Sequence, residues 1–107
     1  LTPEQRRKIL LDAPEARLAD DLNLPGNDIR QDLGIVASLF AAWRSNYAGQ
    51  GNPFGHNREI TEKLLGKNPN GIIFLREGNR AINAEGELCD RWGTPFFFHA
   101  ESGTRNA

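Results

Sequence analysis

The chain has 107 residues, with 13 Lys plus Arg against 14 Asp plus Glu and a formal charge of −1. That balance excludes the broad basic field with which nucleic-acid-binding domains meet phosphates, and the length allows one domain with a modest core. A single cysteine, Cys89, excludes an internal disulfide and a cysteine-based metal cluster, while no apolar run approaches the ~20 residues that span a bilayer.

Thr2-Pro3-Glu4-Gln5 reads as a helix start, with Thr2 as N-cap, Pro3 at the first helical position and Gln5 closing a capping box. This predicts a short helix to about Leu11. Asp12-Ala13-Pro14-Glu15 repeats the signal and predicts a second one to about Leu22, with Leu18 and Leu22 on one face. Leu24-Pro25-Gly26 then turns the chain.

The strongest periodicity lies between Asp28 and Tyr47. Ile29, Leu33, Val36, Phe40, Trp43 and Tyr47 are spaced four, three, four, three and four, which places them on one stripe of a long helix. Asp28 and Gln31 form its capping pair and Gly49 ends it. Phe40, Trp43 and Tyr47 are its candidate core residues. After the loop Gly49–Gly55, Asn57 is expected to cap a short helix from Arg58 to Leu65, with Ile60 and Leu64 inward and Gly66 as its stop.

Beyond the turn Asn68-Pro69-Asn70-Gly71 the period changes. Ile72–Leu75 and Phe96–His99 read as short strands, separated by a tight turn at Ala84–Glu87 and a Trp92-Gly93-Thr94-Pro95 corner. No internal repeat stands out. Helices followed by strands predict an α+β fold, in which one long amphipathic spine helix packs on a small C-terminal antiparallel β-sheet. Glu101-Ser102-Gly103-Thr104 has hairpin-turn composition, so further sequence is expected beyond Ala107 to pair the last strand.

For chemistry, Cys89 and Asp90 with His56 and His99 supply the residue types of a thiol nucleophile, base and orienter, but no local signature surrounds Cys89. Asp20-Asp21, Asn27-Asp28 and Glu85-Gly86-Glu87 lack metal-ligand spacing. No Gly-rich phosphate loop is present. These readings predict no catalytic residue, no metal and no cofactor. The triplet Arg6-Arg7-Lys8 is a solvated helix face, or a lipid-headgroup contact if a membrane anchor precedes Leu1.

The most informative segment is Asn83-Ala84-Glu85-Gly86-Glu87-Leu88-Cys89-Asp90-Arg91-Trp92-Gly93-Thr94-Pro95-Phe96. Asp90 can accept backbone N–H bonds across the corner, Trp92 can pack over it, Gly93 permits positive φ or close approach, and Pro95 stiffens the exit. An indole buried there would make Trp92→Ala cost about 3–5 kcal/mol.

Asp90-x-Trp92-Gly93-x-Pro95-Phe96 after Gly86-Glu87-Leu88 resembles the Asp-x-Trp-Gly-x-Pro-aromatic corner of the major, G-type pseudopilins of type II secretion. Asn52-Pro53-x-Gly55-x-Asn57-x-Glu59-Ile60-Thr61 and Leu64-x-Gly66-x-Asn68-Pro69, upstream of Trp92–His99, are similar to a divergent bacterial subgroup. The likeness covers about Asp28 to Gly103.

The length reads as one domain over 1–107 with short N-terminal helices in 1–26, which fit poorly with one continuous pilin spine, and the resemblance makes 28–107 a pseudopilin-like region. The resemblance also implies a non-enzymatic role on the periplasmic face of the inner membrane, with other pseudopilins or secretion components as protein partners and the membrane reached only through an anchor absent from this sequence. The family's hydrophobic assembly helix is not represented here, and its calcium loop lies downstream of the corner, so no calcium ligand is carried over. The competing reading is a free-standing module that binds a protein or small ligand.

Overall fold

The computed structural model describes residues 1–98. Among the described residues three α-helices follow one another: α1 at Pro3–Asp12, α2 at Ile29–Asn46 and α3 at Asn57–Leu64, with a 3₁₀ turn at Pro14–Arg17 between α1 and α2. Helix α1 starts at the Thr2–Gln5 capping box and buries none of its residues.

The second short helix is replaced by the 3₁₀ turn and a run of further turns to Asn23. Backbone bonds from Ala16 to Ala13, Leu18 to Glu15, Asp20 to Arg17 and Leu22 to Ala19 all close three residues back. Ala16, Ala19 and Leu22 are accordingly the buried residues. That spacing of three is the 3₁₀ period, which brings the three side chains onto one face.

Helix α2 carries its capping box between Asp28 and Gln31. Its buried face is Asp32, Val36, Leu39 and Trp43, followed by Tyr47 at the C-cap. The helix is thus rotated from the expected stripe: Leu33 is 51% exposed and Phe40 is only partly buried. The cause is Asp32, a fully buried carboxylate that apolar periodicity counts as polar surface. Trp43 stacks at 4.7 Å on Tyr47 and 5.5 Å on Phe74, and Phe40 meets Phe98 edge-on at 5.4 Å. Around the first of these groups the core gathers Leu39, Ile60, Leu64, Leu75 and Leu88.

Helix α3 begins one residue earlier than expected. His56 is its N-cap, with Glu59 accepting from the His56 N–H, so Asn57 is helical and its side chain is free for other work.

The expected antiparallel sheet is absent. Among the described residues there is no β-strand, only two isolated antiparallel bridges, Ile82 with Leu88 and Cys89 with Pro95. The α+β expectation is therefore corrected to a small helical fold with an irregular C-terminal region. Ile73, Phe74 and Leu75 are buried as a strand candidate should be. However, the N–H groups of Phe74 and Leu75 both donate to the Leu64 carbonyl at the end of α3, so no ladder can start there. The predicted strand at Phe96–His99 donates from Phe96 to Leu88 and extends no further as a ladder within the described residues. His99 and the turn at Glu101–Thr104 lie outside them.

Asparagine side chains do much of what a ladder would do. Asn57 donates to the carbonyls of Leu88 and Phe96 and accepts from the Leu88 N–H at 2.7 Å. Asn68 donates to Lys63 and Ile72 carbonyls and accepts from the Ile72 N–H. Asn79 donates to the Ala19 carbonyl and accepts from the Ala81 N–H. Buried backbone groups need partners, and here side-chain amides provide many of them.

Candidate functional site

The segment singled out by sequence forms two reversals of one design. In Asn83-Ala84-Glu85-Gly86-Glu87 the Asn83 carboxamide oxygen accepts from the Glu85 and Glu87 N–H groups, Gly86 donates back to the Asn83 carbonyl and Asn83 donates to the Glu87 carbonyl. In Asp90-Arg91-Trp92-Gly93-Thr94 the Asp90 carboxylate accepts from Trp92 and Thr94, Gly93 donates to the Asp90 carbonyl and Asp90 donates to the Thr94 carbonyl. Gly86 and Gly93 sit at φ +80° and +87°, the left-handed position that closes a three-residue hairpin loop. The Asx-x-x-Gly-x pattern recurs after seven residues, a repeat the sequence reading missed because only the Asx and Gly are shared.

Arg91 anchors the second reversal. Its Nε donates to Asp32 Oδ2 at 2.6 Å and its terminal nitrogen to the Leu24 carbonyl at 3.0 Å. Asp32 also accepts from the Asn23 N–H, and Asn23, at φ +58°, donates its amide to the Cys89 carbonyl. This cluster joins the 3₁₀ region, α2 and the reversal. The Arg91 hydrogen bond, aided by that from Asn23, holds the Asp32 carboxyl below its usual range despite burial, and Asp32 in turn raises the Arg91 guanidinium.

Trp92 does not pack over the corner. The residue is 71% exposed, so its removal does not carry the large loss of stability expected of a buried indole. A hydrophobic lid over the turn is unnecessary once Asp90, Gly93 and the Arg91 anchor hold it. A Cβ added at Gly93 would meet nothing within 4 Å, so this glycine serves φ and not a close approach. Pro95 is exposed and pairs with Cys89 through the isolated bridge. Of the core candidates, Trp43 and Tyr47 are each 6% exposed, and Phe40 packs at the core's edge.

Among the described residues the thiol constellation does not come together, and His99 lies outside them. Cys89 is buried, and burial first, then the Glu87 and Asp90 carboxylates, push its thiol upward, the opposite of activation. His56 lines a different cleft, with Glu59, Glu85 and Glu87, from the one that Cys89 shares with Asn23 and Arg80. Among the described residues no three His, Cys, Asp or Glu side chains are grouped to hold a metal ion, and no helix is long and apolar enough to cross a membrane.

A recess of about 190 Å³ lies at the far end of α2, between Trp43, Pro53, Phe54, Lys63, Lys67 and Pro69. Phe54 is 62% exposed there, and the Lys63 ammonium sits 5.2 Å from its ring centre while donating to its carbonyl. No sequence signal marks this recess, because its residues come from three separate segments. No family model, curated protein or solved structure matches the chain.

Proposed function

We infer that the protein is a non-enzymatic docking module, and that it serves as the extracytoplasmic part of a pseudopilin-type secretion assembly. The observation that carries the docking reading is the outward indole of Trp92 on a turn held by Asp90, Gly93 and the Arg91–Asp32 pair. A large aromatic ring presented on a preorganised support is what protein interfaces use as an anchor, since little entropy remains to be lost on binding. The assembly reading rests on the resemblance of Asp90–Phe96 and the segments upstream of it, without the sheet expected at first.

The two layers are tested together by deleting the gene in its host and restoring it as wild type or as Trp92→Ala. The expected result is loss of exported protein on deletion, recovery with wild type, and failure of Trp92→Ala to restore export although the variant folds and accumulates normally. An unchanged set of exported proteins on deletion removes the secretion role. Full restoration by Trp92→Ala removes the indole as the anchor.

A further inference from the structure

We propose that the groove between α1 and the segment that follows α3 binds a small amphipathic carboxylate, one anionic head on an apolar chain. The site lies apart from the Trp92 turn and shares no lining residue with it.

The first observation is a helix short of support. Isolated helices of fewer than about 12–15 residues are marginal in water and owe their stability to a packed apolar face. Helix α1 has 10 residues and buries none of them. Its capping box secures only the first turn. Its side ties to the body are thin: Arg7 faces Glu77 at 3.8 Å, and Arg76 donates to the Leu11 carbonyl at 3.4 Å. A groove of about 650 Å³ separates the helix from the body, within the roughly 300–1,000 Å³ of small-molecule sites.

The second observation is the apolar part of its lining. Leu10 projects from α1, and Leu65, Pro69 and Ile73 face it from the other wall. Gly66 and Gly71, at φ +125° and +66°, complete that wall without side chains. A Cβ at Gly66 would lie 3.5 Å from Ile73 Cγ1, and one at Gly71 would lie 3.7 Å from Leu10 Cδ1. A hydrocarbon chain laid there touches both walls and gives α1 the apolar contact it is short of.

The third observation is the charge. Five ionisable side chains line the groove: Arg6, Arg7, Lys67, Glu62 and Glu77. Four of them are matched, Lys67 to Glu62 at 2.8 Å and Arg7 to Glu77 at 3.8 Å. The Arg6 side chain has no ion pair or hydrogen bond among the described residues. One positive charge is therefore left over, on a guanidinium fork that suits a carboxylate. A cationic or uncharged amphiphile leaves that charge unanswered, and a dianionic head carries twice what is needed.

The test uses decanoate, kept below its micelle-forming concentration, with methyl NMR and amide hydrogen exchange as readouts. Wild type is expected to show saturable shifts at Leu10, Leu65 and Ile73, and slower exchange along α1. Decyltrimethylammonium, with the same chain and the opposite charge, and acetate, a head without the chain, are expected to show no saturation over the same range. Arg6→Gln should weaken decanoate binding about tenfold or more. Arg6→Glu should reverse the preference and take the ammonium over the carboxylate, an outcome that misfolding cannot produce; an acidic residue near the start of α1 is also compatible with the helix.

Absence of saturation with decanoate, equal affinity of Arg6→Gln and wild type, or α1 exchange that decanoate leaves unchanged each overturns the proposal. So does the same response to both amphiphiles, which marks adsorption of the chain without recognition of the head. None of these results touches the docking reading, whose test is the Trp92 variant in the host.

Discussion

The two halves of the molecule are held by different means. Along α2, stability comes from area removed from water: Val36, Leu39, Trp43 and Tyr47 lie against Phe74, Leu64 and Leu88, with aromatic pairs adding about 0.5–1.5 kcal/mol each. Between Gly66 and Phe98 regular structure is missing, and polar side chains at Asn57, Asn68, Asn79, Asn83 and Asp90 satisfy the backbone one group at a time. The first half tolerates changes of surface and fails when volume is lost. The second has little ladder to share a load, so each amide matters separately.

The largest effect should come from Trp43→Ala, which opens a cavity beneath Phe74 and is expected to cost about 3–5 kcal/mol in urea unfolding. A loss below about 1 kcal/mol would erase the packing side of the contrast. Asp32→Asn comes next, at about 3 kcal/mol, the low end for breaking a buried pair, because Arg91 keeps 19% of its side chain in solvent.

The same pair gives the acid response a sign. The Asp32 carboxyl is held below its ordinary 3.8 by Arg91, so the folded state binds fewer protons than the unfolded chain in that range. The pair's contribution is whole above 3.8 and is lost as pH falls through it toward the lower folded value. Urea midpoints of wild type should therefore drop on acidification below 3.8, and Asp32→Asn should flatten that drop; equal acid branches for the two proteins would contradict the assignment.

Asn57→Ala sharpens the other side. It strands the Leu88 N–H, takes the Asn57 donor from the Phe96 carbonyl and leaves the Leu88 carbonyl with the Phe96 N–H alone, for an expected cost of about 2 kcal/mol. Amide exchange should speed up at Leu88 and Phe96 while α2 stays protected. The smallest effect belongs to Trp92→Ala, within about 0.5 kcal/mol of wild type in the same unfolding assay, as for an exposed position.

Local signals were legible wherever a side chain acts on its own neighbourhood. The capping pairs Thr2–Gln5 and Asp28–Gln31 and the Asp90 turn are all short-range chemistry. What could not be read needs partners distant in sequence. The rotation of α2 depends on Arg91 reaching back to Asp32, and the missing sheet depends on Leu64 and Asn57 drawing off the bonds of Phe74, Leu88 and Phe96. Hydrophobic runs such as Ile72–Leu75 report burial correctly but not the backbone geometry in which they are buried. The recess around Phe54 was likewise invisible, being shared among α2, the following loop and α3.

The twin reversals at Asn83 and Asp90 also bear on how the chain finds its shape. Their closing bonds join residues only four apart, so both can zip on the microsecond scale of an isolated hairpin. The costly closures are Asn23 to Cys89 and Asn57 to Phe96, which bridge long intervening loops. Folding is then paced by landing a ready-made clip on the helices, and substitutions at Asn23 or Asn57 should slow that landing more than any change within the clip itself.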